Sequence, residues 1–456
     1  MNKRGCKLRA AGVQPYAVAP EDQPRRSPVS IIRKPPSQTP RADRPAAPAS
    51  DAAADRRDAA GLAADLAWLR SLRVALVHDW LVTLRGGERV LDAFCELFPN
   101  ATIHTLVRRP GVATPRIEAM QHAPSFADRV PGAHRHHRWL LPLYPSAIER
   151  VPVLDCDLIL SSSHCVAKAV IPGPGAVHVC YSHTPVRYAW DRTDDYLRGT
   201  NSALAMAAPV LGAAARWLRG YDLSTLDRVD AFVANSDNTA GKIKRFYGRD
   251  AAVVPPPVET DRFSHIERHP AGYDLVLSGL VPYKRVDLAV AAYAELPERR
   301  LVVVGDGPEL ERLRRLAPPN VTLRGRVPES ELTDCYRGAE LLVFPGEEDF
   351  GIVPLEAQAC GIPVVAYGRG GALESVVDGE TGVYFYEPTP GCLAAAIRDL
   401  AARGVNPAAC RTNAGRFRRQ LFLERMIAEL VAAMHASDAR ARGARLAAAT
   451  RGSAAP

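Results

Sequence analysis

The chain has 456 residues, of which 47% are hydrophobic and 24% are charged, a composition that predicts a globular protein with two or three domains. The net charge is +8, but thirteen Lys and Arg residues against seven Asp and Glu residues lie within residues 1–71. The remainder is therefore close to neutral, and the overall charge does not indicate a nucleic-acid-binding protein.

No apolar run approaches the roughly 18 residues that a membrane-spanning helix needs. The N-terminus is charged and lacks the apolar segment of a secretory signal. The nine cysteines are scattered and form no C-x-x-C pair, which argues against a disulfide framework or a zinc site. These features together predict a cytoplasmic enzyme with reduced thiols.

Residues 1–71 are rich in Pro, Ala, Arg and Asp and show little apolar periodicity. We interpret them as a disordered basic tail, in which Ala59–Leu72 has the pattern of a marginal helix. The first domain is predicted to begin at residue 72.

The first domain opens with a strand, a glycine loop and a helix. Arg73–Val77 is an apolar run, Gly86 and Gly87 end the loop that follows, and Glu88–Phe98 has helical spacing. This order begins a Rossmann-like unit, although the full G-x-G-x-x-G pattern is lacking and a simple tight turn would also explain the glycines. Further strands are predicted at Thr102–Leu106, Leu158–Ser161, Ala176–Cys180 and Ala231–Asn235.

Two patterns that resemble metal sites are interpreted as structural. His134, His136 and His137 lie in a polar, arginine-rich loop with no Cys or carboxylate at ligand spacing. Asp155 and Asp157 form a D-x-D pattern, but Asp157 merely opens the next apolar run. No metal site is predicted.

The loop Tyr181–Asp191, YSHTPVRYAWD, follows a buried strand and concentrates polar and aromatic side chains. It contains His183, Arg187, Tyr188 and Trp190. A lone histidine is most often a core residue with a satisfied hydrogen bond. Its position after a strand favours a ligand-binding role here, because ligands of open α/β sheets bind at the carboxyl ends of the strands.

The chain is predicted to cross to a second domain between Pro255 and Pro270, where three consecutive prolines stiffen the connection. Strands then alternate with helices, which predicts a parallel doubly wound sheet. The predicted strands are Leu275–Ser278, Leu301–Gly305, Val321–Arg324, Leu341–Phe344 and Val364–Ala366, and helices are predicted to begin near Val286, Pro308, Glu329, Pro354 and Cys392.

Residues 346–371, GEEDFGIVPLEAQACGIPVVAYGRGG, form a strand–loop–helix–strand–loop unit. Pro354 suits the first position of its helix and Gly361 suits the helix stop. Glu348 is then predicted in the loop and Glu356 in the first helical turn.

The chemistry of this unit suits a sugar nucleotide. The backbone N–H groups of Phe350, Gly351 and Ile352 at a helix N-terminus favour a phosphate or a sugar hydroxyl. The carboxylates of Glu348 and Glu356 can accept hydrogen bonds from hydroxyls on either side of that phosphate. A solvated loop charge and a complement to the helix dipole would explain each glutamate alone.

The string E-D-F-G-I-V-P-L-E resembles the paired-glutamate motif of retaining glycosyltransferases of family 4. The string H-T-P-x-R-Y-x-W resembles a signature of bacterial mannosyltransferases within that family. The resemblance covers roughly Arg73–Met434 and implies the GT-B fold, an α/β architecture in which two Rossmann-like doubly wound domains face each other across a cleft.

For the first domain, the resemblance implies that Gly86 and Gly87 let the donor phosphate and the acceptor approach the backbone. His183 would contact the donor sugar near the reaction centre. Arg187 would face the diphosphate or the acceptor.

For the second domain, the resemblance implies that Glu356 holds the ribose hydroxyls and Glu348 the donor sugar. The amides of Phe350–Val353 would contact sugar and diphosphate, and the turn at Gly307 would lie near the base. Lys284 would bind the diphosphate.

The family often has an arginine five residues before this lysine, where the present chain has Gly279. Arg285 and Arg187 are the candidates to replace it.

The expected organisation is a tail at 1–71, an acceptor domain at 72–265, a nucleotide-sugar domain at 266–412, a C-terminal helix at 413–436 that packs on the first domain, and a flexible tail at 437–456.

The expected activity is the metal-independent transfer of a hexose, with retention, to a lipid-linked or oligosaccharide acceptor in cell-surface polysaccharide synthesis. The expected hexose is mannose and the expected donor is GDP-mannose. UDP-sugars are the alternative donors. A peripheral contact with the inner face of the membrane remains open, and no nucleic-acid partner is expected. A nucleotide-sugar epimerase and a non-catalytic nucleotide-sugar-binding protein are the alternatives.

Overall fold

The computed structural model describes residues 59–187, 189–191 and 202–452. Residues 1–58 of the predicted tail, Tyr188 and residues 453–456 lie outside the described residues. Two parallel sheets, each flanked by helices, form two domains, and this confirms the predicted α/β architecture with two doubly wound domains.

The first sheet has seven strands in the order β3-β2-β1-β4-β5-β6-β7 and the second has six in the order β10-β9-β8-β11-β12-β13. The strands are β1 (Val74–Leu81), β2 (Thr102–Arg108), β3 (Gln121–Pro124), β4 (Leu158–Ser163), β5 (Val177–Ser182), β6 (Ala231–Ala234), β7 (Ala251–Val253), β8 (Tyr273–Leu277), β9 (Leu301–Val304), β10 (Val321–Gly325), β11 (Ala339–Phe344), β12 (Val364–Tyr367) and β13 (Gly382–Phe385).

Helices connect the strands and cover both faces of each sheet. The α-helices are α1 (Ala59–Ser71), α2 (Gly86–Leu97), α3 (Pro115–Ala119), α4 (Ala133–His136), α5 (Tyr144–Glu149), α6 (Ser202–Ser224), α7 (Asp237–Tyr247), α8 (Thr260–Ser264), α9 (Val286–Ala294), α10 (Leu310–Leu316), α11 (Glu329–Gly338), α12 (Ile352–Ala359), α13 (Ala372–Ser375), α14 (Pro390–Arg403), α15 (Pro407–Gly415) and α16 (Arg419–Gly452). Short 3₁₀ helices span Phe126–Arg129, His137–Leu143, Ala167–Ala169, Leu226–Arg228 and Pro282–Lys284.

Each strand order reverses at one point, between β1 and β4 in the first sheet and between β8 and β11 in the second. Loops diverge to opposite faces at such a point, and the crevice there is the usual ligand site of an open parallel sheet. The carboxyl ends of β4 and β5 are buried and polar, which places serine and histidine side chains at this crevice.

The C-terminal helix α16 packs together with α1 on the first domain. Phe422, Met426 and Leu430 pack in the same cluster as Leu91 and Phe94 of α2. Leu69 of α1 belongs to this cluster and is fully buried. Apolar burial of this kind stabilises by roughly 25 cal/mol per Å², so α1 and α16 are parts of the folded domain.

Some predicted boundaries differ from the structure. The helix α1 lies in the predicted tail at 1–71 but belongs to the first domain, because Leu69 completes the core. The connection to the second domain lies before α8, since Phe263 packs in the second-domain core; this is inside the predicted crossing between Pro255 and Pro270 and earlier than the expected boundary at residue 265. The expected single helix at 413–436 is instead α15 and α16, and the predicted flexible tail at 437–456 is helical as far as Gly452.

Shorter elements also differ from the prediction. The edge strands β3, β7 and β13, of four, three and four residues, were not predicted. The three histidines of the polar loop lie in α4 and the adjoining 3₁₀ helix, where burial lowers the pKa of His137 to about 4. Asp157 accepts hydrogen bonds from the backbone and the guanidinium of Arg73, and this agrees with its interpretation as structural.

Candidate active site

The first-domain wall of the cleft is built from the carboxyl ends of β1, β4 and β5. His78, Ser162 and His183 come from these three neighbouring strands. Ser162 Oγ lies 3.1 Å from His78 Nδ1 and 2.8 Å from His183 Nε2. His78 and Ser162 are fully buried, whereas His183 is half-buried.

Both histidines of this chain of hydrogen bonds are neutral at pH 7. Burial lowers the pKa of His183 well below its usual range, and the neighbouring His164 and His78 lower it further. Burial likewise lowers the pKa of His78 to about 4. A neutral imidazole has one N–H donor and one bare nitrogen, so His183 can offer a ligand one or the other.

The glycine loop closes over these side chains. A Cβ atom at Gly87 would lie 3.6 Å from His183 Nε2, and one at Gly86 would lie 2.9 Å from Cδ1 of Ile352 in the second domain. A side chain at Gly86 would therefore require the Ile352 side chain to move. The two predicted donor-binding segments, Gly86-Gly87 and the start of α12, therefore face each other across the cleft.

The helix α12 starts earlier than predicted. It begins at Ile352, so Pro354 is its third residue and Glu356 lies in its second turn. Gly351 before it has φ +89 and Gly361 after it has φ +78, which are left-handed conformations that favour glycine. The predicted helix stop at Gly361 is thus where the structure has it.

Glu356 is buried and accepts a hydrogen bond of 2.9 Å from the Tyr336 hydroxyl. Burial raises the pKa of its carboxyl, and the positive charge of Arg89 from the first domain opposes that rise. Phe350 packs against Phe417, so its side chain is part of a small apolar cluster. Only its backbone groups are left for contact with a ligand.

Lys284 and Glu348 form an ion pair with each other on the second-domain side of the cleft. Their loops approach closely, because a Cβ atom at Gly346 would lie 2.8 Å from Cα of Lys284. Gly307 makes a similar approach, 2.3 Å from a built Cβ to the Leu280 carbonyl. The structure thereby brings Gly307, Lys284 and Glu348 to one end of the second sheet.

Arg285 points elsewhere than Lys284. It has φ +50, the left-handed conformation, and precedes α9. Its guanidinium pairs with Asp287. The two adjacent cations thus have separate partners.

Asp349 joins the two walls and was not predicted. It is buried and accepts hydrogen bonds from Arg187 (3.0 Å from Nε), Lys242 (2.8 Å) and Asn238 (3.3 Å), all in the first domain. Burial would raise the pKa of Asp349, but Arg187 and Lys242 lower it to about 2. The carboxylate is ionised at pH 7 and holds the domains together.

A second cross-domain contact lies beside the first. Glu374 of α13 accepts the backbone N–H groups of Asp237 and Asn238 at 2.8 and 3.0 Å. These donors belong to the first turn of α7, where a carboxylate also complements the helix dipole. Burial nevertheless raises the pKa of Glu374 to about 7.

The loop after His183 is anchored from behind. Asp222 accepts hydrogen bonds from Trp190 Nε1 (2.7 Å) and the Tyr247 hydroxyl (2.8 Å), and it pairs with the buried Lys168 at 3.0 Å. Arg219 lies 4.8 Å above the Trp190 ring. A buried, fully paired polar network of this kind rigidifies the loop.

The cavity between the walls is small and charged. It is lined by Arg187, Asp191, Lys242, Glu347, Glu348 and Asp349. Sequence reasoning found Arg187 and Glu348 but missed Lys242 and Asp349, because their partners lie more than a hundred residues away in the chain. Within the described residues, no group of three or more His, Cys, Asp or Glu side chains could hold a metal ion.

Two family models match adjoining parts of the chain. Residues 84–262 match the model described as Glycosyltransferase Family 4, and residues 258–417 match Glycosyl transferases group 1. The two models together support a GT-B glycosyltransferase of the family 4 type. The two matched regions correspond to the two domains of the GT-B fold.

Curated relatives of this GT-B chain are glycosyltransferases by name. It is 35% identical over 207 residues to D-inositol 3-phosphate glycosyltransferase 2 of Catenulispora acidiphila, which covers 38% of this chain and 48% of the relative. It is 36% identical over 194 residues to a GDP-mannose-dependent alpha-(1-6)-phosphatidylinositol monomannoside mannosyltransferase of Mycolicibacterium smegmatis, with coverage of 36% and 51%. The chain thus spans about half the length of the curated relatives that it matches.

Solved structures share the fold. HepE from Anabaena, in complex with UDP and glucose, aligns with a TM-score of 0.58 and 16% identity over 79% of this chain and 99% of that one. The lipopolysaccharide outer core galactosyltransferase WaaB aligns with a TM-score of 0.52 and 15% identity over 78% of this chain and 98% of that one.

In the described part of the chain, no helix is both long and apolar enough to cross a membrane.

Proposed function

We propose that this protein is a retaining glycosyltransferase that moves mannose from GDP-mannose onto a lipid-linked or oligosaccharide hydroxyl in cell-surface polysaccharide synthesis. The observation that carries the proposal is the convergence across one cleft of His183 and the glycine loop with Lys284, Glu348 and the start of α12. One relative is named as a GDP-mannose-dependent mannosyltransferase, and this supports GDP-mannose as the donor. UDP-sugars are the alternative, since a neighbour of the same fold holds UDP.

Each wall has a different task in this proposal. The N-terminus of α12 and Lys284 bind the diphosphate. Lys284 breaks its ion pair with Glu348 and pairs with the phosphate instead. Glu348 is released to hold sugar hydroxyls, and Glu356 holds the ribose. Electrostatic stabilisation of the departing diphosphate supplies most of the rate enhancement.

The acceptor attacks from the face that the diphosphate leaves, and this gives retention at the anomeric carbon. The acceptor hydroxyl loses its proton to the leaving phosphate.

No metal ion takes part, and transfer should therefore survive EDTA. A loss of transfer that magnesium or manganese restores would contradict metal independence.

A peripheral membrane contact at the inner face of the membrane fits a lipid-linked acceptor. Trp139 is 83% exposed and Leu143 is 42% exposed, beside the exposed Arg135 and Arg138. Aromatic and basic side chains together favour the interface of an anionic membrane. Flotation with vesicles of phosphatidylglycerol, but not of phosphatidylcholine, is the expected result, and Trp139→Ala should reduce it.

The test of the function uses purified protein with GDP-mannose or UDP-glucose and a set of lipid-linked sugar acceptors. Nuclear magnetic resonance of the product reads the anomeric configuration. Retained configuration with GDP-mannose supports the proposal, and inverted configuration contradicts it. Conversion of the nucleotide sugar without an acceptor would identify an epimerase, and donor binding without turnover would identify a non-catalytic binding protein.

A further inference from the structure

His183 is connected to two buried side chains that the proposed function leaves unused. Ser162 Oγ bridges His78 Nδ1 at 3.1 Å and His183 Nε2 at 2.8 Å. Ser162 and His78 have no exposed surface. They cannot contact a substrate directly, so any effect they have on a ligand must pass through His183.

The bridge couples the proton positions of the two rings. A serine hydroxyl has one proton to donate, so it donates to one imidazole and accepts from the other. Both rings are neutral, because burial lowers the pKa of each. Only two orders remain, one running from His78 through Ser162 to His183 and one running in reverse.

The surroundings of His78 favour the first order. Among the described residues, its buried Nε2 has no hydrogen-bond partner. In the reverse order this atom would be an N–H donor with no acceptor, and orphaned buried N–H groups are rarer than unsatisfied acceptors.

We propose that His78 and Ser162 are positioning residues that hold His183 as its Nδ1–H tautomer, so that His183 offers the cleft a hydrogen-bond donor. Because Ser162 occupies Nε2, Nδ1 is the nitrogen left for a ligand. This inference rests on the proposed function, since it assigns the Nδ1–H to an oxygen of the transferred sugar. It also means that His183 is not the base that deprotonates the acceptor.

The tautomer can be read without any substrate. Protein labelled with ¹⁵N in its histidine rings is examined by long-range ¹H–¹⁵N correlation at pH 7, and the His183 signals are those lost in His183→Ala. The expected result is a protonated Nδ1 and a bare Nε2, with a shift toward Nε2–H in Ser162→Ala. An Nε2–H tautomer in the parent protein, or no change in Ser162→Ala, would overturn the proposal.

The chain offers a matched control. Ser161 Oγ bonds His178 Nε2 at 2.8 Å, and both residues are fully buried. Ser161 lies beside Ser162 on β4 and so faces the other side of the sheet. Ser161→Ala removes an equivalent hydrogen bond and should leave the His183 signals unchanged.

Substitutions of His78 provide a second route if Ser162→Ala fails to fold. The side-chain amide of His78→Asn can donate to Ser162 as Nδ1–H does, whereas His78→Leu cannot. The Asn variant should keep the Nδ1–H tautomer of His183 and the Leu variant should lose it. The same tautomer in both variants would contradict the role of His78.

Kinetics separate positioning from a structural role. Ser162→Ala should lower kcat roughly tenfold at unchanged KM for the donor, the effect of about one hydrogen bond. In the His183→Ala background it should have no further effect, because the two residues act as one unit. Equal losses in both backgrounds would overturn the proposal. A protein that shows the expected tautomers but transfers no sugar would instead refute the proposed function.

Discussion

At the scale of single residues, neighbours in the sequence have unrelated tasks. Glu348 pairs with Lys284 within the second domain, while Asp349 pairs with Arg187 and Lys242 of the first domain. One loop thus places one carboxylate beside Lys284 and the next at the domain interface. The next pair of cations along the cleft, Lys284 and Arg285, is divided in the same way.

Lys284→Ala should weaken binding of GDP about ten- to a hundredfold. A charge-assisted hydrogen bond contributes roughly 1.5–3 kcal/mol, and about 1.4 kcal/mol is a factor of ten in affinity. Calorimetric titration with GDP measures the loss. Arg285→Ala is the matched control and should lose little, because its guanidinium is directed to Asp287. Equal losses would mean that Arg285 also binds the diphosphate, and no loss from either would contradict the diphosphate assignment.

At the scale of elements, the terminal helices belong to the core. The helix α1 has a weak apolar pattern, yet Leu69 is fully buried against α2 and α16. Arg70 adds a hydrogen bond of 2.7 Å to the carbonyl of Leu97 at the end of α2. A single well-placed leucine and one helix-terminal contact therefore join α1 to the first domain.

Leu69→Ala should lower the free energy of unfolding by about 2–5 kcal/mol, because it removes a fully buried side chain and leaves a cavity. Urea unfolding followed by tryptophan fluorescence measures the change. Ala67→Ser on the exposed side of the same helix should change stability by less than about 0.5 kcal/mol. An unchanged midpoint for Leu69→Ala would show that α1 does not contribute to the core.

At the scale of the whole molecule, buried polar groups govern both the closure of the cleft and the response to pH. Asp349 and Glu374 link the second domain to Arg187, Lys242 and the first turn of α7. The buried histidines with lowered pKa values lie in the first domain among the described residues. The buried histidines thus act inside the first domain, whereas Glu374, whose pKa burial raises to about 7, titrates at the interface itself.

Asp349→Ala should open the cleft, because it leaves Arg187 and Lys242 without their shared acceptor. Removing one partner of a buried ion pair typically costs about 3–5 kcal/mol. Hydrogen–deuterium exchange should therefore rise at the backbone amides of Asp237 and Asn238, which Glu374 holds across the interface. As the control, substitution of the exposed Asp261 by Ala should leave the exchange of these two amides unchanged. Unchanged exchange in Asp349→Ala would show that other contacts hold the domains together.

The first domain should lose stability as the pH falls from 6.5 to 4. Burial lowers the pKa of His78, His104, His137 and His178 to about 4, so in this window the unfolded state binds more protons than the folded state. Glu88, whose pKa burial raises to about 7, has the opposite effect. Each group changes the free energy of unfolding by roughly 1.4 kcal/mol per pH unit, and the four histidines outweigh one glutamate.

Tryptophan fluorescence can follow this domain alone, because all five tryptophans precede the second domain. The urea midpoint should fall between pH 7 and pH 5. His178→Asn should reduce the pH dependence, since it removes one of the contributing histidines. A midpoint that does not depend on pH would contradict the assignment of these histidines as buried and neutral.

Local sequence patterns were sufficient for the two doubly wound domains and for most strands. Apolar runs, glycine loops and helix stops depend on near neighbours, so their physical causes are visible along the chain. The helix stop at Gly361 is an example, because its left-handed φ of +78 is a local requirement. The same reasoning misplaced the start of α12 by two residues, since Pro354 is tolerated anywhere in a first turn.

The tertiary structure alone decided which charges meet. Arg187 and Asp349 are 162 residues apart, and Ser162 and His183 lie on separate strands. Their distances follow from the sheet order and from the way the domains face each other, neither of which leaves a periodic signal in the sequence. Burial is equally non-local, and for that reason the neutral state of His78 and the anchoring role of Leu69 became visible only in the folded chain.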